Sequence, residues 1–276
     1  MSKLKKQLKP IFFPVEKVSI EDYLGPKTFP LTFNDQISHW VISKVKGEDG
    51  RVVNACSKNY HLISNEELMT PLIEELESQY DVEASFVSSR GARFYVDFTI
   101  KNEALSVMKS DKIYPRIRLN NSYDGSIRYG LDFGFYRQIC SNGLWGFSWE
   151  KGFKLRHTPG TGAQALPRTM DAIGEFLGFA PKLLKSSYEP LVKHTLTLDT
   201  ALERVQDVIE NTKFSAKKGE AVLARLHEER KTLPLNDFLV YNAFNYALYN
   251  DGSKMKQHKK DKLDIQILQY FHKTLK

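Results

Sequence analysis

The sequence predicts an α+β fold: an antiparallel β-meander with helices on one face, followed by a helical C-terminal region. Three observations carry this. Apolar and polar residues alternate with period two through several runs between Ile37 and Tyr136. Short turn signals join those runs, too short for the crossovers that parallel strands need. After Gly160-Thr-Gly162 the period changes to that of amphipathic helices. The chain of 276 residues is long enough to bury a full core, and three blocks are expected: an extended N-terminal arm over 1–35, a β-rich core over 36–165 and a helical region over 166–276.

Taken in order, residues 1–35 hold a lysine cluster and then Pro10, Pro14, Pro26 and Pro30, which favours extended chain over helix. Ile37 to Val45 and Arg51 to Ser57 are expected to form two strands joined at Gly47-Glu-Asp-Gly50. The pattern Ser64-x-x-Glu67 opens a helix with Leu68, Leu72, Leu76 and Tyr80 at helical spacing, and Pro71 predicts a kink or a restart capped by Thr70. Val82 to Val87 and Ala92 to Ile100 make a hairpin around Ser89-Arg90-Gly91. In the second of these strands Phe94, Val96, Phe98 and Ile100 face away from Arg93, Tyr95, Asp97 and Thr99.

The next strand sets Ile113, Ile117 and Leu119 against Tyr114, Arg116, Arg118 and Asn120, and Asn121-Ser-Tyr-Asp-Gly125 supplies a hairpin turn. The return strand places Ile127, Tyr129, Leu131, Phe133 and Phe135 opposite Arg128, Gly130, Asp132, Gly134 and Tyr136. Among the helices that follow, Thr200-x-x-Glu203 caps one with Ala201, Val205, Val208 and Ile209 on one face. Asp237 opens another, and a last runs from Asp264 with Ile265, Leu268, Phe271 and Leu275 on its apolar side.

Composition bounds the function. No apolar run approaches the eighteen or so residues that cross a bilayer, and the lysine-rich start has no apolar signal core, so a cytoplasmic protein without membrane contact is expected. Cys56 and Cys140 form no paired motif that would signal zinc or a disulfide framework. Neither a phosphate-binding glycine loop followed by Lys and Ser/Thr, a dinucleotide fingerprint, a His-Glu-x-x-His zinc pair nor a nucleophile elbow is present, so no cofactor, metal or catalytic residue is expected. The net charge of +7 points to an acidic partner, and between Ala84 and Ala165 twelve Lys/Arg stand against six Asp/Glu, which places much of that excess on the strands. A second cluster, Lys254, Lys256, Lys259, Lys260 and Lys262, is equally compatible with a solvated tail.

Arg93, Arg116, Arg118 and Arg128 project from the polar sides of three consecutive strands, and Arg137, Lys154 and Arg156 follow. These seven cations are the expected phosphate ligands, with Tyr95 and Tyr136 as surfaces on which bases stack. The alternative for the same arginines is pairing with Asp97, Asp132 and Glu150 on an ordinary wet sheet face. The aromatic run Phe133, Phe135, Leu144, Trp145, Phe147 and Trp149 suits core or a subunit contact. A thiol–imidazole pair of Cys140 with His157, and a two-carboxylate metal site on Asp97 and Asp132, are the enzymatic alternatives.

Several segments in order resemble the phage and plasmid-like family catalogued as domain of unknown function 932. They are Trp40 through Val53, Tyr60-His-Leu-Ile-Ser-Asn-Glu-Glu-Leu, Asn121-Ser-Tyr-Asp-Gly-Ser, Arg137-Gln-Ile-Cys-Ser-Asn-Gly and Lys154-Leu-Arg-His-Thr, and the resemblance spans residues 36 to 250. It implies carriage on mobile elements and assigns no reaction. A β-meander flanked by helices is also similar to the core of single-strand annealing recombinases of the Red-beta and Rad type. That resemblance implies strand annealing in recombination or replication without ATP, by a homo-oligomer for which a ring is one form. The expected partner is single-stranded nucleic acid, DNA favoured. An interaction module that inhibits a host defence factor through Leu144 to Trp149 is the competing expectation.

Overall fold

The computed structural model describes residues 2–24, 37–43, 50–89, 92–108, 111–138, 142–144, 154–158, 160–250 and 255–275. It has the α+β architecture expected, with antiparallel sheets and a helical C-terminal region. A three-stranded sheet has the order β1 (Val15–Ser19), β2 (His39–Ser43), β3 (Arg51–Cys56). A larger sheet follows the order β4 (Val82–Ser89), β5 (Arg93–Ile100), β6 (Ile113–Ser122), β7 (Tyr129–Arg137), β8 (Asn142–Leu144), with β9 (Lys154–Leu155) also paired to β7. Two compact units divide the chain: residues 1–102, 117–132 and 151–175 form one, and 103–116, 133–150 and 176–276 the other.

In the first unit the N-terminal segment departs from the extended arm expected. Residues Lys3–Leu8 form α1, capped by the Ser2 hydroxyl, which accepts from Lys5 N at 3.2 Å. Leu4 and Leu8, four residues apart, share the buried face of that helix. Glu77 accepts from Leu4 N at 3.0 Å and Gln7 accepts from Ala84 N at 3.2 Å, so α1 is fastened to the domain. The prolines act only beyond it: Pro10 sits in a single 3₁₀ turn, and β1 then pairs antiparallel with β2 from Val15↔Ser43 to Ser19↔His39. A short helix α2 (Ile20–Leu24) follows; Pro26 and Pro30 lie outside the described residues.

Hairpins β2–β3 and β4–β5 pair as expected, the latter in register from Val82↔Ile100 to Ser89↔Arg93, although both connecting turns lie outside the described residues. Between them α3 (Asn65–Gln79) starts at Ser64, whose hydroxyl accepts from Glu67 N at 3.1 Å. No restart occurs at Thr70; one helix runs through Pro71. The buried stripe Leu68, Met69, Leu72, Ile73 and Leu76 supplies the apolar stabilisation that offsets the missing amide.

The β6–β7 turn accounts for each residue of the Asn-Ser-Tyr-Asp-Gly-Ser run. Gly125 has φ +69°, the left-handed region in which glycine carries no steric cost. Asp124 Oδ1 accepts from Ser126 N at 3.0 Å, and the Ser122 hydroxyl both donates to Ile127 O at 2.8 Å and accepts from Ile127 N at 3.0 Å. Asn121 donates to Asn65 Oδ1 at 2.8 Å while Asn65 N donates to the Tyr123 hydroxyl at 2.8 Å, tying the turn to the start of α3. The Tyr123 ring packs on Phe94 and Phe13 in the core.

The second unit is chiefly helical. The helix α4 (Thr161–Lys193) leads into it, and α5 (Leu198–Asn211), α6 (Gly219–Glu229), α7 (Asp237–Asn250) and α8 (Gln257–Thr274) complete it. The cap of α5 lies three residues earlier than the sequence pattern suggests: Thr197 and Thr200 exchange hydrogen bonds reciprocally. The last helix starts at Gln257 rather than Asp264, so Lys259, Lys260 and Lys262 are helical, and Lys260 is only 8 % exposed. Phe238 to Leu248 is buried on nearly every side, which makes α7 the central helix of this unit. Phe133 and Phe135 are buried against Phe176 at ring separations of 4.7 and 5.8 Å; Trp145, Phe147 and Trp149 lie outside the described residues.

A charged cluster is sealed inside this unit. Arg137 and Asp111 are both 0 % exposed and meet at 2.6 Å, and Arg137 Nη1 reaches Glu229 at 2.6 Å. Arg225 Nε donates to the other Glu229 oxygen at 2.7 Å. Burial pushes the Asp111 carboxyl above its ordinary range, against the opposing pull of Arg137. Removing Arg137 leaves the buried Asp111 without its cation and Glu229 with Arg225 alone, so Arg137→Met is expected to cost about 3–5 kcal/mol, read from the urea midpoint of unfolding. The deficit narrows on acidification, because a folded state with a raised carboxyl pKa takes up a proton more readily than the unfolded chain.

Candidate functional site

Alternation along β5, β6 and β7 puts the expected phosphate ligands on polar strand faces, but the structure uses them in different ways. In the first unit, Arg118 is 5 % exposed and grips Asp97 through two bonds, Nε at 2.6 Å and Nη2 at 3.0 Å. Its fork is thereby committed to a carboxylate. Asn120 donates to Asp132 at 2.5 Å, so that carboxylate is held by an amide rather than the expected arginine. These bonds engage the two carboxylates considered for a metal site, and no group of three His, Cys, Asp or Glu side chains converges among the described residues. Arg93 pairs with Asp124 at 2.7 Å, and Tyr95 is half-buried.

Three expected ligands belong to the second unit. Arg116 stacks over the Tyr136 ring at 4.6 Å, so a guanidinium covers a surface proposed for a base. Arg137 is not a surface cation at all but the centre of the buried cluster. Its parity gives the reason: it follows Tyr129, Leu131, Phe133 and Phe135 on the apolar side of β7. Cys140 lies outside the described residues.

Arg128, Lys154 and Arg156 in the first unit are exposed. The strands β7 and β9 pair Tyr129 with Leu155 and Gly130 with Lys154, and Arg128 and Arg156 are the residues immediately beyond that pairing. Both line a cleft of about 480 Å³. Its other walls come from the end of β3 (Cys56, Ser57), from Asn59 and Tyr60, from Gly125 and Ile127 of the β6–β7 turn, and from His157 and Thr158. Among the described residues the lining contains no acidic side chain, and the two guanidiniums are its charged groups.

The walls are joined by specific bonds. The amide of His61 donates to His157 O at 3.0 Å, and Lys17 reaches across from β1 to Lys58 O and Tyr60 O at 2.7 and 2.8 Å. The Tyr60 and His157 rings stack at 5.4 Å and 5°, and the Tyr60 hydroxyl lies 3.3 Å from His157 Nδ1. His157 is 8 % exposed, and its Nε2 has no hydrogen-bond partner among the described residues. Burial pushes the imidazole below its ordinary range, while the backbone of His61 opposes this in part, so the ring is neutral at pH 7. Burial likewise raises the Cys56 thiol, with Lys17 opposing, and keeps it protonated.

A family model for the domain of unknown function DUF932 matches residues 52–262. The chain belongs to that family. Searches of curated proteins and of solved structures returned no match. Three of the segments that carry the DUF932 resemblance converge on the cleft: Tyr60 from one, Gly125 from the Asn121–Ser126 turn, and Arg156, His157 and Thr158 from the third. A fourth, beginning at Arg137, has a structural role in this DUF932 protein through the buried charge cluster. No helix among the described residues is long and apolar enough to cross a membrane.

Sequence reasoning named Arg128 and Arg156 and considered His157 only as a base for Cys140; Tyr60 was signalled only by its place in a family segment. His157 also makes stability depend on pH. With a folded pKa below the ordinary 6.5, the unfolded chain binds the proton more readily, so stability is full above about pH 7 and falls as pH drops through 6.5. His272, also depressed by burial, adds to the same trend. Thermal unfolding of His157→Gln between pH 7.5 and 5.5 should show a shallower acid loss than the unmodified chain; an identical slope would assign the effect elsewhere.

Proposed function

We propose that this DUF932 protein binds single-stranded nucleic acid, DNA favoured, in the cytoplasm. The exposed cations around the cleft of the first unit neutralise the strand's phosphates. One observation carries the reading: Arg128 and Arg156, the residues immediately beyond the β7–β9 pairing, line one cleft with no acidic residue among its described lining residues. An anion in the cleft meets both guanidiniums. Lys154 adds a further cation on β9, while Arg93 is paired with Asp124. Arg118 and Arg137 are excluded from the phosphate-binding set, because their guanidiniums are held by internal carboxylates.

Such binding needs only electrostatics and stacking and no nucleotide hydrolysis, which fits a chain with no phosphate-loop motif. We assign the bound strand to annealing in recombination or replication, by a homo-oligomer that sets several clefts along one strand. The nuclease alternative is weakened by the engagement of Asp97 and Asp132. The interaction-module alternative rests on Leu144 to Trp149, whose aromatic residues lie outside the described residues.

Fluorescence anisotropy of labelled single strands across a salt series, followed by annealing of complementary strands, tests the proposal. Arg128→Ala with Arg156→Ala should weaken binding and reduce the slope of log affinity against log salt by about 1.4, roughly 0.7 for each phosphate no longer neutralised. Unchanged affinity and slope in that double variant, or no binding at low salt, would overturn it.

A further inference from the structure

We propose that the cleft is a receptor for a terminal phosphate monoester, carried either by a nucleic-acid end or by a free nucleotide. It rests on the reading of this cleft as an anion site and goes beyond it by specifying which phosphate. The first ground is charge. A diester within a strand carries one negative charge, whereas a monoester carries about −1.5 to −2 at pH 7 and three acceptor oxygens. Two arginines line the cleft, with no carboxylate among its described lining residues, and their planar donor forks suit the oxygens of a monoester.

Size is the second ground. About 480 Å³ suits one small ligand and not a run of several nucleotides. The third ground is the lining itself, which sets neutral hydrogen-bonding side chains, Ser57, Asn59 and Thr158, beside the two cations. His157 is more than nine-tenths buried, and its ring is fixed by the stack on Tyr60. Ser122 and Asp124 brace the turn that leads to Arg128 by bonds to Ile127 and Ser126, which limits the ordering cost of binding.

The test uses the full chain and short oligothymidylates bearing a 5′-phosphate, a 3′-phosphate or hydroxyls at both ends, with thymidine 5′-monophosphate and thymidine as competitors. A terminal phosphate should raise affinity about tenfold, the effect of one to two added charge-assisted hydrogen bonds. Arg128→Gln with Arg156→Gln, both at exposed positions and checked for folding by circular dichroism, should abolish the preference. Competition by the monophosphate as strong as that by the phosphorylated strand identifies a free nucleotide as the ligand; weak competition identifies the strand end. Equal binding of phosphorylated and hydroxyl-ended strands, with no competition by the monophosphate, overturns the inference. If strand binding then still depends on Arg128 and Arg156, only the end preference is lost. If no strand binds, the strand-binding function fails with it.

Discussion

The turn between β6 and β7 is the constraint on which the first unit depends. Its residues form one hydrogen-bonded knot: Ser122 closes on Ile127, Asp124 holds Ser126 and Arg93, and Asn121 and Tyr123 meet Asn65 at the first turn of α3. Gly125 makes the geometry possible by occupying a region of φ that other residues enter at a cost. A half-satisfied version would leave buried polar groups unpaired, so the knot is favourable only as a whole. Because the chain leaves it directly into Ile127 and Arg128, it also fixes one wall of the cleft.

Charge is used in two opposite ways in this molecule. Arg118 and Arg137 are withdrawn from water and neutralised by carboxylates, in the second case with no exposure at all. Desolvation there is comparable in size to the attraction, so these pairs contribute chiefly by penalising any arrangement that separates them. Arg128, Lys154 and Arg156 stay in solvent, where their charge is presented outward. The same residue type is therefore either locked into the interior or left at the surface according to its place in the fold.

The cleft couples an exposed cationic rim to a wall of low polarity. Tyr60 and His157 stack face to face, and burial keeps the imidazole neutral. That neutrality spares the site a third positive charge at pH 7. It leaves His157 able to respond to an anion, since a negative charge nearby favours the protonated ring.

By itself the sequence determined the α+β class, the strand pairs β2–β3 and β4–β5, the turn at Gly125 and the face to which most strand residues point, because alternation and turn chemistry are local. Parity also marked Arg137 as inward, and its positive charge obscured that signal. The cap on α1 and the buried Leu4–Leu8 pair were equally present, hidden by the prolines that follow. Only the tertiary structure decided that Arg118 belongs to Asp97 and Arg137 to Asp111 and Glu229. Only it decided that Tyr60, Arg128 and Arg156 share a cleft. Those relations depend on register and on contacts between residues far apart in the chain, and no short-range pattern records which strand positions become neighbours.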